Sequence, residues 1–381
     1  MPIAAKPPHA FPRRVLLAVT GLSPQVVTET LYALTQRQQP PFVPTEVRLI
    51  TTATGAREAR LNLLAEKTGW FHRLRAEYRL PAIRFDADCI HVLDDGQGRA
   101  LDDIRTPEQN ERAADFITDI VRSLTEDDSA ALHVSLAGGR KTMGYYLGYA
   151  LSLYGRAQDA LSHVLVSEPF ENNREFFYPT RNEHPIRVRR GDKEQTFDCR
   201  EAQVDLAPIP FVRLRDGLPE RLRKGSAPFS RVVAAAERSR RPPQLALQVG
   251  ARTALLDDEP LTLPPVAYAV LLWLADRARR GAGAVDWRRE DAFEEFMRIA
   301  RRVMKPASGE YERIEQAFGW RRHAPLKLAE YFEPHKSRIN AAIAQLLGQP
   351  AAARYAIRAT RSRDGVLYDL PLQAGEIDIR P

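Results

Sequence analysis

Residues 131–154 have the sequence ALHVSLAGGRKTMGYYLGYALSLY, and their pattern indicates the fold of the first half of the chain. Its continuously apolar start, residues 131–135, predicts a strand that is buried on both faces of a parallel sheet. Residues 141–154 predict a helix. The loop between them holds two glycines, two cations and a hydroxyl where a strand passes into a helix, which is typical of a phosphate-binding loop.

The glycines of this loop let the backbone approach an anion, and its cations supply positive charge. The residues of the predicted anion site are Gly138, Gly139, Arg140, Lys141 and Thr142. The loop is not a Walker A motif, because Arg140 and not glycine directly precedes Lys141. ATP hydrolysis is therefore disfavoured. The alternative is a glycine-rich turn whose two cations are solvated.

A second loop occupies the equivalent position after the first predicted strand. Residues 15–19 (VLLAV) predict the strand, residues 25–38 predict a helix, and residues 20–24 (TGLSP) connect them. The N-terminus of a helix presents free backbone N–H groups and a partial positive charge. We expect Pro24 at the first helical position, and Ser23 either caps the helix or faces a ligand. The predicted ligand contacts of this loop are Thr20, Gly21, Leu22, Ser23 and Gln25.

Strand and helix patterns alternate through the first half of the chain. The other predicted strands are residues 46–51, 82–92 and 162–167, and the other predicted helices are residues 57–68 and 107–124. This alternation predicts an α/β fold with a mainly parallel sheet and right-handed crossovers. In such sheets ligands bind beyond the carboxyl ends of the strands, which is where both loops lie. Residues 172–206 are polar and predict a hairpin, and residues 205–210 predict the exit to a second domain.

We therefore expect two domains, residues 1–210 and residues 211–381. The second is mostly helical, with two short strands in residues 245–256. Its predicted helices are residues 227–238, a helix that starts at Pro265, and residues 290–303 and 337–347. Two β-like segments, residues 354–360 and 366–372, follow and flank a basic turn at residues 361–365. Helices that end in such a hairpin predict a winged helix-turn-helix.

Length and composition exclude several classes of protein. The chain has 381 residues, of which 44% are hydrophobic and 28% charged, so it is neither wholly disordered nor collagen-like. No apolar stretch approaches the roughly 18 residues of a membrane helix, and residues 1–14 lack the apolar core of a secretory signal. Cys89 and Cys199 are the only cysteines, which argues against a disulfide scaffold and a Cys-based zinc site. We expect a cytoplasmic protein without membrane contact.

The net charge of +7 is unevenly distributed. Residues 1–210 hold 26 Lys and Arg against 28 Asp and Glu, and residues 211–381 hold 30 against 21. A basic half suggests nucleic-acid binding, but solvated basic faces explain it equally well. The predicted helix of residues 337–347 has two cations at its start, Lys336 and Arg338, and none later. We therefore predict that duplex DNA binding is weak, salt-sensitive and not sequence-specific.

The sequence gives less support to a metal site, a ribonuclease site, a dinucleotide site or a hydrolase site. Asp86, Asp88 and His91 are residue types that ligate metals, but alternation in a strand and its exit turn explains them better. Arg156 and His163 have a spacing used by one class of ribonuclease, but they end a helix and enter a strand instead of sharing one helix. Neither loop contains the G-x-G-x-x-G pattern of dinucleotide sites or the G-x-S-x-G pattern of hydrolases. We expect no metal and no cofactor.

At the two loops the sequence resembles a known family. TGLSPQVVTETLYAL (residues 20–34) and SLAGGRKTMGYYLGYALSLYGR (residues 135–156) resemble the ring nucleases of the Csm-six type, which are CRISPR-associated CARF proteins. The resemblance covers roughly residues 12–210. The second half matches less distinctly and resembles the winged-helix domains attached to several CARF proteins.

The resemblance implies a fold, a ligand and an activity. CARF domains are Rossmann-like, form homodimers and bind cyclic oligoadenylates, the second messengers of type III CRISPR systems, across the dimer axis. Ring nucleases of this kind cleave cyclic tetra-adenylate and so switch off antiviral signalling. Ser23 matches the loop serine and Lys141 the lysine of the family, which makes them the predicted catalytic residues. No HEPN ribonuclease signature follows, so the resemblance does not imply a messenger-activated ribonuclease.

The implied cleavage needs no metal. A ribose 2′-hydroxyl in line with the leaving oxygen attacks the phosphorus and forms a 2′,3′-cyclic phosphate. Lys141, with Arg140 beside it, would stabilise the charge that develops on the phosphate, and Ser23 would hold the phosphate and ribose. No histidine is in an obvious place to act as a general base, so we expect slow turnover.

Two further hypotheses remain open at this stage. The protein is a transcription regulator if its second domain binds DNA in response to the messenger, which the basic turn containing Arg361 and Arg363 favours. It is a buffer if it binds the messenger without cleaving it. If the protein is a ring nuclease, the second domain covers the ligand or supports dimerisation.

Overall fold

The computed structural model describes residues 6–190, 193–238, 241–304, 309, 311–312, 314, 326–363 and 365–381. The chain divides into two compact units. The first extends to Arg215 and includes Ser226–Ser230, and the second comprises Asp216–Gly225 and the residues from Arg231 onward. None of the helices in the described part of the chain combines the length and the apolar character that crossing a membrane requires.

The first unit is built on a six-stranded sheet. Its strands, with a separate hairpin formed by β6 and β7, are β1 Arg13–Val19, β2 Glu46–Thr51, β3 Ile90–Val92, β4 Ala130–Ser135, β5 Ala160–Val166, β6 Pro185–Arg190, β7 Lys193–Asp198 and β8 Val204–Pro208. The order in the sheet is β3-β2-β1-β4-β5-β8, and all neighbours are parallel except β5 and β8. The predicted α/β fold with a mainly parallel sheet is confirmed.

The helices of the first unit lie between these strands along the chain. They are α1 Gln25–Tyr32, α2 Ala53–Leu63, α3 Trp70–Glu77, α4 Pro107–Leu124 and α5 Lys141–Tyr154. A π-helical segment, Ala33–Arg37, continues α1. In β1 every residue from Val15 to Val19 is fully buried, so both faces of this strand are covered, as its apolar sequence predicts.

One prediction about the end of this unit is wrong. Residues 205–210 are not simply an exit, because Val204–Pro208 forms the edge strand β8. It pairs antiparallel with β5, with Val164 opposite Leu206. Edge strands tolerate proline and polar residues, since one side of the strand has no hydrogen-bonding neighbour, and this weakens their sequence pattern.

The strand order creates a switch point beside β1. The chain moves outward from β1 to β2 and β3, then returns to place β4 on the other side of β1. Ala18 of β1 lies opposite Ser135 of β4, so the two strands end at the same level. In open α/β sheets such a switch point is where loops diverge and leave a crevice for ligands.

The second unit combines helices with a smaller sheet. Its elements are α6 Glu220–Lys224, most of α7 Phe229–Arg238, α8 Pro265–Arg279, α9 Glu290–Val303, α10 Leu326–Leu347, α11 Gln349–Ala352, β9 Leu245–Gln248, β10 Thr253–Leu256, β11 Glu259–Leu261, β12 Arg358–Ser362, β13 Gly365–Asp369 and β14 Ile377–Arg380. The sheet order is β11-β10-β9-β14, and β12 and β13 form a separate antiparallel hairpin. The core packs around α8, in which ten consecutive residues from Ala267 to Asp276 are buried.

Several predicted boundaries in this unit differ from those in the structure. The predicted helix 337–347 is the second half of α10, which starts at Leu326 and contains Pro334. The two β-like segments are shorter than predicted and pair as β12 and β13. The sequence pattern does not predict strand β14, which pairs with β9 in parallel.

Candidate functional site

The loops after β1 and β4 meet through their glycines. A Cβ atom built on Gly21 would lie 3.6 Å from Cα of Gly139. Gly138 and Gly139 have positive φ angles of 98° and 73°, a backbone conformation that glycine adopts without strain. A Cβ on Gly138 would also lie 3.1 Å from the carbonyl oxygen of Val19. The structure thus brings the two loops that were singled out in the sequence into contact.

The first loop is also held from the side of α2. A Cβ atom on Gly55 would lie 2.6 Å from the carbonyl oxygen of Gly21 and 2.1 Å from Oγ1 of Thr51. The hydroxyl of Thr51 donates to the carbonyl oxygen of Thr20 at 2.8 Å. A helix can approach the loop this closely only because Gly55 has no side chain.

These loops and the segment after β5 enclose a cleft of about 550 Å³, within the usual size range of ligand pockets. It is lined by residues 21–23, 25–26 and 29 on the β1 side, residues 137–139 after β4, residues 163–166 on β5, and residues 171–174 after β5. The cleft therefore lies at the carboxyl ends of three neighbouring parallel strands. Leu22 and Leu165 line it and are 61% and 52% exposed, so the cleft offers apolar as well as polar contacts.

Two helices begin beside this cleft without a side-chain cap. The N-cap of α1 is Pro24 and that of α5 is Arg140, and neither side chain accepts a hydrogen bond from the backbone N–H groups of the first helical turn. Uncapped first turns leave backbone N–H groups available to an anion. The expectation that Pro24 is the first helical residue is wrong by one position, since α1 starts at Gln25. Ser23 does not cap α1, is exposed and lines the cleft.

The two cations of the second loop have different surroundings. Nε of Arg140 donates to Oδ1 of Asp103 at 2.6 Å, and a terminal nitrogen of Arg140 donates to Oδ2. This bidentate pair holds the pKa of Asp103 well below its ordinary value. Lys141 is exposed at the first position of α5, directly after this pair, and makes no ion pair within the described part of the chain. The residues that line the cleft end at Gly139, so Arg140, Lys141 and Thr142 lie at its edge and not in its lining. Lys141 is thus the loop cation whose charge is not already balanced.

The other predicted contacts divide into buried and exposed groups. Thr20 is fully buried, and its Oγ1 has no hydrogen-bond partner among the described residues. It does not line the cleft, so its contribution is to hold the loop through its carbonyl oxygen. Thr142 is exposed in the first turn of α5. Gln25 is buried, lines the cleft, and donates from Nε2 to the carbonyl oxygen of Arg174 at 2.9 Å.

The titratable residues of the cleft do not follow from the sequence patterns. Glu29, half-buried on α1, lines it together with Glu171 and Arg174. Burial, and secondarily the charge of Glu171, raise the pKa of Glu29 to about 8. The available signal was spacing, because Glu29 follows Gln25 by four residues and so lies on the same face of α1. Glu171 has no comparable signal, because it lies in an irregular segment.

A histidine also lines the cleft, although the sequence indicates none in an obvious place to act as a general base. His163 is exposed on β5 and lies at the cleft. Its supposed partner Arg156 is buried in a bidentate ion pair with Asp159, with both donor–acceptor distances 2.9 Å. Arg156 therefore has a structural role, and the two residues do not form a ribonuclease pair.

No group of three or more His, Cys, Asp and Glu able to hold a metal ion occurs within the part of the chain that the structure describes. Asp86, one of the residues considered as a ligand, instead caps a short turn. Its Oδ1 accepts from the backbone N–H groups of Asp88 and Cys89 at 3.0 Å and 3.2 Å. The nearby pair with Arg84 occupies its other oxygen.

A protein-family model matches the chain. The family model described as CRISPR-associated protein NE0113 matches residues 23–242, which is more than half of the chain. The match begins at Ser23 and includes the loop after β4 and all of α5. No curated protein matches the chain.

Proposed function

The chain belongs to the CRISPR-associated protein NE0113 family, and from this premise we propose that it is a CARF-type ring nuclease of type III CRISPR systems. In this proposal it binds cyclic tetra-adenylate in the cleft after β1, β4 and β5 and cleaves the ring without a metal ion. The cleavage removes the messenger and switches off antiviral signalling.

One observation carries the proposal more than any other. Two uncapped helix N-termini follow adjacent strands at the switch point of the sheet, and their loops touch at Gly21 and Gly139. Backbone N–H groups and helix dipoles at such a place favour a phosphate group over a neutral ligand. A cyclic oligonucleotide supplies phosphates together with bases, and Leu22 and Leu165 offer apolar surface to the bases.

The proposed reaction is an internal transfer of the phosphodiester. A ribose 2′-oxygen forms a bond to phosphorus as its proton leaves, and the bond from phosphorus to the 5′-oxygen breaks as that oxygen gains a proton. The products are a 2′,3′-cyclic phosphate and a 5′-hydroxyl, with no net change in protons. The role of the protein is to hold the 2′-oxygen, phosphorus and 5′-oxygen in line and to stabilise charge on the phosphate.

The surroundings of each residue indicate its role in this reaction. Lys141 is the cation we assign to the developing charge, because Asp103 already neutralises Arg140. Ser23 is exposed in the cleft and is not used as a cap, so its hydroxyl is available to the phosphate or ribose. Arg140 then serves to anchor the loop through Asp103.

We further propose that the active form is a homodimer. A ring of four nucleotides is larger than the drug-sized ligands that pockets of this volume enclose. A two-fold axis would place two identical clefts against one ring, and such symmetric dimers are the commonest oligomers. Leu22 in the first loop, 61% exposed, and Tyr145 on α5, 62% exposed, provide apolar surface that such a dimer would cover.

The test is incubation of the purified protein with cyclic tetra-adenylate, followed by chromatography. The proposal expects linear products that end in a 2′,3′-cyclic phosphate. If the protein binds the ring but leaves it intact, it acts as a buffer of the messenger. If the protein does not bind the ring, the proposal is wrong.

A second candidate function is DNA binding regulated by the messenger. The observation that favours it is the hairpin of β12 and β13, since all five residues of β12 are exposed and the hairpin tip is basic. However, Arg358 at its base pairs with Asp369, at 2.9 Å, which reduces the charge available to a phosphate backbone. We rank this function second.

A further inference from the structure

Strand β5 continues past the end of β4, so part of its edge has no neighbouring strand. The last pair between the two strands joins Ser135 to Ser162. One further bond follows, from the N–H of Leu136 to the carbonyl oxygen of Ser162, at 3.0 Å. Strand β5 then runs on to Val166, and residues 163–166 line the cleft. Because a strand rises about 3.3 Å per residue, this free edge is about 13 Å long.

The register between β5 and β8 shows which backbone groups lie on the free edge. In an antiparallel pair, alternate residues exchange hydrogen bonds with the partner strand, and the residues between them turn their backbone groups the other way. The register is continuous. Two bonds outside its ends fix the alternation, from the N–H of Ile209 to the carbonyl oxygen of Leu161 at 2.8 Å and from the N–H of Ser167 to the carbonyl oxygen of Gln203 at 2.9 Å. The N–H and C=O groups of Val164 and Val166 therefore point away from β8, into the gap left by β4.

These backbone groups have no partner within the part of the chain that the structure describes. A strand edge of this kind presents a row of unpaired donors and acceptors. Side chains stand perpendicular to the sheet and leave the edge itself open. The carbonyl oxygen of Val164 and the N–H of Val166 are consecutive on this edge, so the cleft is offered an acceptor next to a donor.

We propose that this edge recognises a base of the ring and selects adenine, with the carbonyl oxygen of Val164 accepting from the 6-amino group and the N–H of Val166 donating to the ring nitrogen beside it. This inference rests on the proposed function for the identity of the ligand. Adenine carries its amino donor next to a ring-nitrogen acceptor, and proteins hydrogen-bond such base edges when the base is unpaired. Hypoxanthine, which has a carbonyl oxygen in place of the amine, would set a second acceptor against the carbonyl oxygen of Val164.

The surroundings of the edge suit a base better than a phosphate. Carbonyl oxygens disfavour an anion, whereas the uncapped first turns of α1 and α5 favour one. Leu165, between the two valines and 52% exposed, adds apolar surface beside the edge. Base and phosphate thus have different walls of the same cleft, and the specificity for adenine is separate from Ser23 and Lys141, to which the chemistry is assigned.

The first test changes the ligand and uses the full-length wild type in calorimetry. We expect cyclic tetra-adenylate to bind at least tenfold more tightly than cyclic tetra-inosinate. Two further rings contain 1-deaza-adenine or 7-deaza-adenine, in which a C–H group replaces one of the ring nitrogens beside C6. At least one of these rings should bind at least tenfold more weakly than cyclic tetra-adenylate, because it has lost the acceptor for the N–H of Val166.

The second test removes that N–H. Val166→Pro lacks it but leaves the bonds to β8 in place, since the residues on either side make them. This variant should bind cyclic tetra-adenylate and the rejected deaza ring with similar affinities, a change that distortion of the cleft alone would not cause. Leu206→Pro is the matched control, because Leu206 lies opposite Val164 on β8, its N–H points away from β5, and Pro208 already occupies an equivalent position.

Leu206→Pro should keep the wild-type preferences, and thermal unfolding shows which variants fold. A wild type that binds all four rings equally overturns this inference alone, and this result needs no variant. A folded Val166→Pro that still rejects the deaza ring overturns it too. A wild type that binds none of the rings overturns the proposed function as well.

Discussion

Gly21 and Gly139 lie so close that a methyl group on Gly21 would touch Cα of Gly139, at 3.6 Å. The residues come from loops more than a hundred positions apart in the chain, and β1 and β4 bring them together as neighbouring strands. This close approach brings the loops that precede α1 and α5 to the same cleft. The proposed binding of the ligand depends on it.

The first prediction concerns Gly55, which holds the loop from α2. In Gly55→Ala the new methyl group would lie 2.6 Å from the carbonyl oxygen of Gly21, so the loop or the helix must move. We expect at least a tenfold loss of affinity for cyclic tetra-adenylate and a loss of about 1–3 kcal/mol in the free energy of unfolding. Calorimetry and denaturant unfolding measure the two effects.

Gly217→Ala is the control for this substitution, because a Cβ atom at Gly217 meets nothing within 4 Å. It should leave both quantities close to wild type. If Gly55→Ala binds the ring as tightly as the control, the position of the first loop does not matter for binding.

The second prediction separates the two cations of the loop after β4. Arg140→Gln should reduce cleavage by less than tenfold, because the charge of Arg140 is already balanced by Asp103. Asp103→Asn should tighten binding of the ring several-fold at low salt, since it releases the charge of Arg140, and the gain should shrink as salt rises. Rapid-quench kinetics and calorimetry at two salt concentrations give these values. If Arg140→Gln is as inactive as a Lys141 variant, the assignment of the chemistry to Lys141 alone is wrong.

The third prediction concerns pH and Glu29. Its pKa is raised from 4.5 to about 8 by burial and then by Glu171, so the folded protein retains a proton that the unfolded chain releases. The stability from this proton is complete below pH 4.5 and falls as pH rises from there to about 8. Glu29→Gln should therefore lose less stability than the wild type between pH 6 and pH 8.5, as measured by thermal unfolding.

The same titration should affect binding. Above pH 8 an ionised Glu29 joins Glu171 in the cleft, where Arg174 and His163 are the other charged or titratable groups. Affinity of the wild type for the anionic ring should fall over this range, and that of Glu29→Gln should fall less. Glu111→Gln, an exposed substitution on α4, is the control and should follow the wild type. Parallel pH profiles for all three proteins would contradict the role of Glu29.

The fourth prediction concerns DNA. Because Arg358 is paired and the predicted recognition helix carries few cations, we expect duplex DNA binding to be weak and lost at physiological salt. Gel shifts with the chain's own promoter and with random duplex, each with and without cyclic tetra-adenylate, measure this. A tight complex with the promoter alone would favour the regulator function.

The sequence predicted best those elements whose ends are chemically marked. Helix α4 begins and ends as predicted, since Thr106 and Gln109 form a capping box and Pro107 follows the cap. Helix α5 also has the predicted bounds, and the glycines before it mark the loop. The two loops of the site were therefore predictable, because strand, turn and helix signals coincide there.

The rest of the site could not be predicted, for physical reasons. The segment after β5 has no periodic pattern, so nothing in the sequence indicates that Glu171 and Arg174 line the cleft. The raised pKa of Glu29 depends on that segment, and so does the bond that orients Gln25. The pairing of Arg140 with Asp103 joins residues 37 positions apart, and it changes which cation is available. Rules that use only neighbouring residues in the sequence cannot predict such long-range contacts.

Metal-independent cleavage through Lys141 is best tested by single-turnover cleavage of cyclic tetra-adenylate in excess EDTA, with the wild type and with Lys141→Ala. We expect the wild type to form linear products with a 2′,3′-cyclic phosphate. We expect Lys141→Ala to be slower by about a hundredfold to a thousandfold, the loss that follows when a contact to transition-state charge worth about 2.7–4 kcal/mol is removed. Complete loss of wild-type cleavage on chelation, restored by added metal, would show that the reaction needs a metal, and near-normal cleavage by Lys141→Ala would remove Lys141 from the mechanism.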